Sequence, residues 1–169
     1  TRVGNPTVTA FENRITKLEG GMASIACTSG MAAIMNAILN IVRSGDEIVS
    51  SASLYGGSID LFRDIEEFGI KTRYVKNNDW EAIEGAINEH TRLLFAETIG
   101  NPCLDVTDVE RLAEIAHAHK IPLILDNTTA TAYLFQGLKH GADIVVNSSS
   151  KYINGSSNSI SGILTYSGR

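Results

Sequence analysis

The 169 residues carry a formal net charge of −5, with 43% hydrophobic and 20% charged side chains, a composition typical of one globular domain. The basic residues are scattered among acidic ones, which disfavours a nucleic-acid partner because phosphate backbones are bound through clustered Lys and Arg. No apolar run is long enough to span a bilayer, so we expect no membrane segment. Cys27 and Cys103 are too few for a disulfide framework, which fits a cytoplasmic location.

The predicted elements alternate between helix and strand along the chain. Asn5 and Pro6 begin the first helix, since Asn caps helices and Pro suits their first turn. A short apolar stretch over 25–27 precedes a second helix from Met31 to about Val42. The later predicted strands cover 47–50, 71–75, 92–96, 121–125 and 143–146, and the later helices cover 58–68, 80–88 and 108–119. The chain begins without Met and ends directly after a strand-like stretch, which predicts a piece of a longer protein.

Three predicted strand segments, 93–96, 122–125 and 144–146, are apolar throughout rather than alternating. A continuous apolar strand is buried on both faces, as in a parallel sheet that is covered by helices. Together with the alternation of elements, this pattern predicts a doubly wound α/β fold with a mostly parallel sheet and helices on both faces. Ligands of such folds bind at the carboxyl ends of the strands.

Polar segments follow these three strands at 97–102, 126–129 and 147–151. Asp126 and Lys151 lie 25 positions apart (151 minus 126), about one crossover unit, so both should emerge at the same edge of the sheet. An acid directly after an apolar strand should be partly buried and needs a cationic partner. A salt bridge to Lys151 satisfies that need, and so does a protonated heteroaromatic ring between the two side chains.

A candidate anion site lies at the turn over 28–31, where the second helix begins. Free backbone amides and the helix dipole attract anions at such a position, and Ser148 and Ser150 add hydroxyl donors next to Lys151. A Ser-Gly helix start is common by itself. Combined with the lysine and the buried acid, it predicts a receptor for a phosphorylated, aldehyde-bearing pyridine.

These residues belong to a longer series of ordered motifs that covers nearly the whole chain. The series is Arg2-x-Gly4-Asn5-Pro6-Thr7, Leu18-Glu19-Gly20-Gly21, Thr28-Ser29-Gly30-Met31-Ala32-Ala33-Ile34, Leu54-Tyr55-Gly56-Gly57, Glu97-Thr98-Ile99-Gly100-Asn101-Pro102, Asp126-Asn127-Thr128 and Ser148-x-Ser150-Lys151-Tyr152-Ile153-x-Gly155. It resembles the cystathionine γ-synthase-like family of enzymes of cysteine and methionine metabolism, which depend on pyridoxal 5′-phosphate (PLP). The resemblance implies that 1–169 is the large PLP-binding domain of the aspartate-aminotransferase-like fold, without an N-terminal segment and the smaller C-terminal domain.

The resemblance also implies a role for each matching residue. Lys151 would hold PLP as a Schiff base, and Asp126 would face the pyridine nitrogen and keep it protonated. Tyr55 would stack on the ring, although a plain core or surface aromatic would look the same in the sequence. The implied catalytic residues are therefore these three.

Further cofactor contacts are implied around the phosphate and the ring hydroxyl. The implied phosphate ligands are Ser148, Ser150 and the backbone amides of Gly30 and Met31. Asn101 would lie near the ring hydroxyl, although a turn-forming Asn-Pro would look the same. Arg2 would reach the phosphate of the neighbouring subunit, which implies a homo-oligomer, a dimer with shared active sites and by extension a homotetramer.

Within the family, the segment 97–102 is most similar to O-acetylhomoserine sulfhydrylases. This implies γ-replacement on a small amino-acid substrate, O-acetyl-L-homoserine, by sulfide or a thiol, giving homocysteine or methionine. The alternatives are cystathionine γ-synthase, γ-elimination by a methionine or cystathionine γ-lyase, and a non-catalytic assembly domain. The presence of Lys151 and Asp126 argues against the last of these.

The chain departs from the family pattern beside the implied cofactor. Thr129 stands where Phe is usual and Ala132 where Pro is common, and a stretch that usually contains Gly and His has Asn154, Ser156, Ser157 and Asn158 instead. These changes put the pocket shape and the substrate preference in doubt.

A metal site is not expected. His117 and His119 are two positions apart on a predicted helix and so point to different sides. The sequence also lacks a dinucleotide or nucleoside-triphosphate motif.

Overall fold

A seven-stranded sheet organises residues 4–169, the part of the chain that the computed structural model describes. The strand order is β1-β7-β6-β5-β4-β2-β3, and β3, β2, β4, β5 and β6 are parallel neighbours. Strand β7 is antiparallel to both β6 and β1. The bounds are β1 Ala23–Cys27, β2 Glu47–Ser51, β3 Lys71–Val75, β4 Thr91–Glu97, β5 Leu123–Asp126, β6 Ile144–Asn147 and β7 Gly162–Tyr166. The predicted α/β fold with a mostly parallel sheet is confirmed.

The helices connect these strands in the predicted order. Their bounds are α1 Pro6–Glu19, α2 Gly30–Ile41, α3 Gly56–Ile65, α4 Trp80–Ala86, α5 Val109–Ala118 and α6 Thr131–Leu134, with single 3₁₀ turns at Glu66–Phe68 and Gly137–His140. The prediction of α3 over 58–68 was wrong at both ends, because the helix begins at Gly56 and tightens into a 3₁₀ turn after Ile65. Helix α4 ends at Ala86 and not at Asn88, because the Asn88 side chain donates to Glu47 Oε2 (2.7 Å) and the chain turns there.

Two apolar cores cover the two faces of the sheet. In β5, Ile124 packs into the core under α2 and α3, whereas Leu123 and Leu125 pack into the core under α5. All three side chains are fully buried. As the sequence predicts, β5 is apolar throughout because helices cover both of its faces.

The start of α2 packs directly against the turn that follows β6. Ser29 caps the helix by accepting from the Ala32 backbone N–H (3.1 Å). A Cβ at Gly30 would lie 2.5 Å from the Ser148 Cβ, so a side chain at this position has no room. The absence of a side chain at Gly30 thus brings the amides of the first helical turn next to the polar segment after β6.

This contact predicts opposite effects for two glycine-to-alanine substitutions. Gly30→Ala should lower the free energy of unfolding by about 1–3 kcal/mol, because the new methyl group overpacks against Ser148. Gly85→Ala in α4 is the matched control, because an added Cβ there meets nothing within 4 Å and should raise that free energy by roughly 0.5–1 kcal/mol. Urea unfolding of the two variants measures both values. Equal effects would contradict the close approach.

Candidate active site

The carboxyl ends of β4, β5 and β6 open into one cavity of about 670 Å³. Helix α2 and the segment before α3 close its other sides. The cavity brings together every predicted site residue within the described range, namely Gly30, Met31, Tyr55, Asn101, Asp126, Ser148, Ser150 and Lys151. Arg2, the remaining predicted residue, lies outside the described residues.

Asp126 is the last residue of β5 and is partly buried. Its Oδ1 accepts from the Thr128 backbone N–H (2.9 Å). Burial raises the pKa of this carboxyl, and the hydrogen bonds from Thr128 lower it by less. Within residues 4–169 it forms no ion pair, so the salt bridge to Lys151 that the sequence left open does not form. A cationic group inside the cavity would keep this carboxyl charged.

Lys151 follows β6 in a turn that is held by its own backbone. The Lys151 N–H donates to the Ser148 carbonyl (3.1 Å), and the Lys151 carbonyl accepts from Gly155 N–H (2.8 Å). The side chain is exposed at the cavity and has no hydrogen bond or ion pair to any other described residue. An unpaired amine at the edge of a cavity is available to attack a carbonyl group.

The predicted anion site has free donors at the start of α2, whereas one of its predicted serine hydroxyls is already hydrogen-bonded. No hydrogen-bond partner for the N–H groups of Gly30 and Met31 is found among residues 4–169, as expected for the first turn of a helix. Ser148 lies beside them, and its own N–H donates to Thr128 Oγ1 (2.8 Å). The Ser150 hydroxyl is already engaged with Ser161, since it donates to the carbonyl (3.1 Å) and accepts from the N–H (2.9 Å). A phosphate contact from Ser150 stays a prediction.

Glu97, the last residue of β4, is a site residue that the sequence reasoning did not single out. It pairs in register with Asp126 on β5. Its Oε1 accepts from the Tyr55 N–H (2.7 Å) and its Oε2 from the Asn101 N–H (3.2 Å). Burial, with a smaller contribution from the nearby Asp126, raises the pKa of Glu97 to about 7. Its signal in the sequence is the one that identified Asp126, an acid directly after an apolar strand.

Tyr55 and Asn101 are positioned through the backbone bonds to Glu97. The Tyr55 side chain is 50% exposed, and its Cε1 would lie 2.5 Å from a Cβ at Gly57. The ring therefore lies over the first turn of α3, which a larger residue at position 57 would prevent. Thr128, a second residue that the sequence reasoning missed, links Asp126 to Ser148 through its backbone and its hydroxyl.

Two departures from the family pattern fall in different places. Thr129 lines the site cavity, whereas Ala132 lines a separate cavity of about 640 Å³ next to α1. Asn154 and Asn158 bond to each other (3.2 Å) across an exposed turn. Of these positions, 129 is therefore the one that helps to shape the site cavity.

Metal ligands and membrane spans were also sought in residues 4–169. No three His, Cys, Asp or Glu side chains are grouped there so that they could hold a metal ion. The His117 ring pairs with Asp143 (Nε2 to Oδ2, 2.9 Å). None of the helices described here has the length and apolar character needed to cross a membrane.

Known proteins are similar to this chain in sequence and in fold. An O-acetyl-L-homoserine sulfhydrylase from Leptospira meyeri is 46% identical over 97% of this chain and 37% of its own length. An L-methionine gamma-lyase from Fusobacterium nucleatum is 40% identical over 97% of this chain and 42% of its own length. A crystal structure from Campylobacter jejuni, which contains N′-pyridoxyl-lysine-5′-monophosphate, superposes with a TM-score of 0.95 at 38% identity over 98% of this chain and 41% of that one.

The chain thus spans about two fifths of the length of these relatives. The sequence profile described as Cys/Met metabolism PLP-dependent enzyme matches residues 1–169. With its mostly parallel sheet and its cavity at the ends of β4, β5 and β6, the chain belongs to the Cys/Met metabolism family of PLP-dependent enzymes.

Proposed function

We propose that the protein catalyses γ-replacement on O-acetyl-L-homoserine, with sulfide or a thiol as the incoming group and homocysteine or methionine as the product. One observation carries the PLP-dependent chemistry of this proposal: Lys151 and Asp126 share one cavity, and within residues 4–169 neither side chain forms an ion pair. The chain around them is 46% identical to a protein named O-acetyl-L-homoserine sulfhydrylase. We also propose that 1–169 is the large PLP-binding domain of this enzyme, that its substrate is a small amino acid, and that it acts in the cytoplasm.

The residues of the cavity fit PLP in three respects. The Asp126 carboxyl has no cationic partner in the described chain and suits a protonated pyridine nitrogen. The free amides of Gly30 and Met31 at the start of a twelve-residue helix, next to Ser148, suit a phosphate group. The Lys151 amine suits an aldehyde. When bound, PLP supplies that aldehyde for amino groups and a ring that accepts electrons from the substrate carbon.

The side chains of this chain then have separate tasks. Lys151 would hold the cofactor aldehyde through its Nζ, and as a free amine the same Nζ would accept the α proton of the substrate and then remove a proton from the β carbon. Asp126 keeps the ring nitrogen protonated through its negative charge. Tyr55 covers the ring, and Glu97 holds Tyr55 and Asn101 in place through their backbone N–H groups.

The second candidate is γ-elimination, which the 40% identity to an L-methionine gamma-lyase favours. Both reactions need the same lysine and acid, so the cavity described above does not separate them. They differ in whether a sulfur nucleophile adds after the leaving group departs.

An assay of the full-length enzyme separates the two reactions. With O-acetyl-L-homoserine and sulfide, homocysteine should form, and without sulfide little 2-oxo acid and ammonia should appear. Borohydride should attach PLP to Lys151. Lys151→Ala should abolish turnover, whereas the exposed Lys139→Ala should retain it. Equal release of 2-oxo acid with and without sulfide would identify a lyase, and labelling at Lys139 would refute the assignment of Lys151.

A second prediction concerns the charge of Asp126. Asp126→Asn keeps the shape and a hydrogen-bonding group but cannot hold the ring nitrogen protonated. This variant should bind PLP and lose about 10²-fold or more in kcat, a loss typical for removal of a group that stabilises charge in the transition state. Asp64→Asn, at an exposed position of α3, is the control and should leave kcat unchanged. A near-normal kcat for Asp126→Asn would instead indicate a structural acid.

A third prediction concerns Arg2 and the proposed dimer with shared active sites, which we place within a homotetramer. A guanidinium grips a phosphate with two parallel hydrogen bonds. Arg2→Ala and Lys151→Ala subunits, each crippled alone, should regain part of the activity when mixed under conditions of subunit exchange, because some hybrid sites then contain both native residues. No recovery, with exchange confirmed independently, would place Arg2 at the site of its own chain.

A further inference from the structure

A buried polar cluster lies where the end of α1 meets the end of β6 and the segment that follows it. It consists of Glu19, the last residue of α1, with Asn147 and Ser149. Each is at most 1% exposed. Three of their oxygen atoms, Glu19 Oε2, Asn147 Oδ1 and Ser149 Oγ, have no hydrogen-bond partner in the described chain. Buried polar atoms are nearly always paired, so this cluster requires an explanation.

The contact between Glu19 and Asn147 indicates what is missing. Asn147 Nδ2 donates to Glu19 Oε1 (3.3 Å), so one hydrogen bond already joins the carboxyl and the amide group. The remaining atoms, Glu19 Oε2 and Asn147 Oδ1, are both acceptors when the carboxyl is ionised, and two acceptors cannot bond. One proton on Oε2 changes this atom into a donor.

We propose that Glu19 is neutral, that its Oε2–H donates to Asn147 Oδ1, and that this acid–amide pair positions the cofactor-binding edge of the sheet. The pairing itself does not depend on the proposed reaction. Burial is the dominant effect on this carboxyl and raises the pKa of Glu19 to about 7, although the hydrogen bond from Asn147 lowers it.

In the described part of the chain, no cationic side chain pairs with the buried Glu19 carboxyl. The titratable side chains on the elements packed against the end of α1 are Glu12, Arg14 and Lys17 on α1 itself, Lys139 and His140 on the 3₁₀ turn, Cys27 on β1, Tyr133 on α6 and Tyr166 on β7. Within residues 4–169, none of these groups forms an ion pair or a hydrogen bond with Glu19. A neutral carboxyl is the form that such an environment favours.

The pair connects to the active site through the backbone. Asn147 is followed directly by Ser148, whose N–H donates to Thr128 Oγ1 (2.8 Å). The Thr128 N–H in turn donates to Asp126 Oδ1 (2.9 Å). Glu19 does not line the active-site cavity, and its hydrogen bond within the described chain is to Asn147, which does not line it either. It is a positioning residue that acts through Asn147 on the segment that carries Ser148 and Lys151.

The substitution Glu19→Gln in the full-length holoenzyme tests whether Glu19 Oε2 carries a proton. Gln presents an N–H where neutral Glu presents an O–H, so the variant keeps both bonds and cannot ionise. The folded pKa of about 7 lies above the ordinary 4.5, so the stability that the neutral form contributes is full below pH 4.5 and is lost as the pH rises through about 7. The Tm of the native protein should therefore fall relative to Glu19→Gln over this window and stay lower above it. The exposed Glu67→Gln is the control and should follow the native curve.

Two further measurements distinguish a protonated, positioning Glu19 from a Glu19 that has only a structural role. At a pH of about 6, the infrared difference spectrum between the native enzyme and Glu19→Gln should show a protonated-carboxyl band, because the contribution of Glu97, whose pKa is also raised to about 7, cancels in the difference. The difference spectrum between the native enzyme and Glu67→Gln should lack it. The dissociation constant of PLP should rise from pH 6 to pH 8.5 by a larger factor in the native enzyme than in Glu19→Gln. Parallel Tm curves without this infrared band would overturn the neutral pair. Equal changes in PLP affinity would overturn its positioning role, and neither result bears on which reaction the enzyme catalyses.

Discussion

The parallel register of β4 and β5, buried on both faces, is the constraint on which the site depends. Because successive side chains of a strand point to opposite faces, the register that pairs Glu97 with Asp126 directs both carboxyls to the cavity. The next residues, Thr98 and Asn127, point the other way and bond to each other (2.7 Å) beneath the site. The catalytic layer and its polar support are therefore two consequences of one alignment.

Two buried acids of the described chain, Glu19 and Glu97, have no cationic partner and therefore carry less negative charge than the formal count assumes. Glu19 and Glu97 have pKa values raised to about 7 by burial, whereas hydrogen bonds from Arg73 and Asn88 lower the pKa of Glu47 to about 2. The formal net charge of −5 treats all of them as ionised. The active edge is thus less negative than the sequence suggests, and a cationic ring beside Asp126 restores the ionised form of that acid.

Local patterns predicted the parallel part of the fold, because apolar strands and capped helices are encoded over a few residues. They did not predict how β1 and β7 pair, since Ala23 and Tyr166 are joined only through tertiary structure. For the same reason the sequence identified Asp126 and Lys151 at one edge but gave no role to Glu19. The burial of Glu19 depends on the packing of α1 against distant segments and has no local signature. Short α6 was missed as well, because four residues are too few for a helical period.

Strand β7, whose pairing the sequence did not predict, helps to hold the turn that carries Lys151. Ser150, immediately before Lys151, bonds to both backbone groups of Ser161 through its hydroxyl, and its own N–H donates to the Ser161 carbonyl (3.2 Å). Ser161 leads directly into β7, which pairs with β6 on one side and β1 on the other. The turn that carries Lys151 is thus fixed at its start by β6 and at its side by β7. A phosphate that drew the Ser150 hydroxyl hydrogen away would weaken one of these bonds, whereas Ser148 carries no such competing bond. The two serines of the motif are therefore not equivalent: a Ser150 hydroxyl that turned to an anion would give up one of three bonds to Ser161, whereas the Ser148 hydroxyl forms no hydrogen bond within residues 4–169 that it would have to give up.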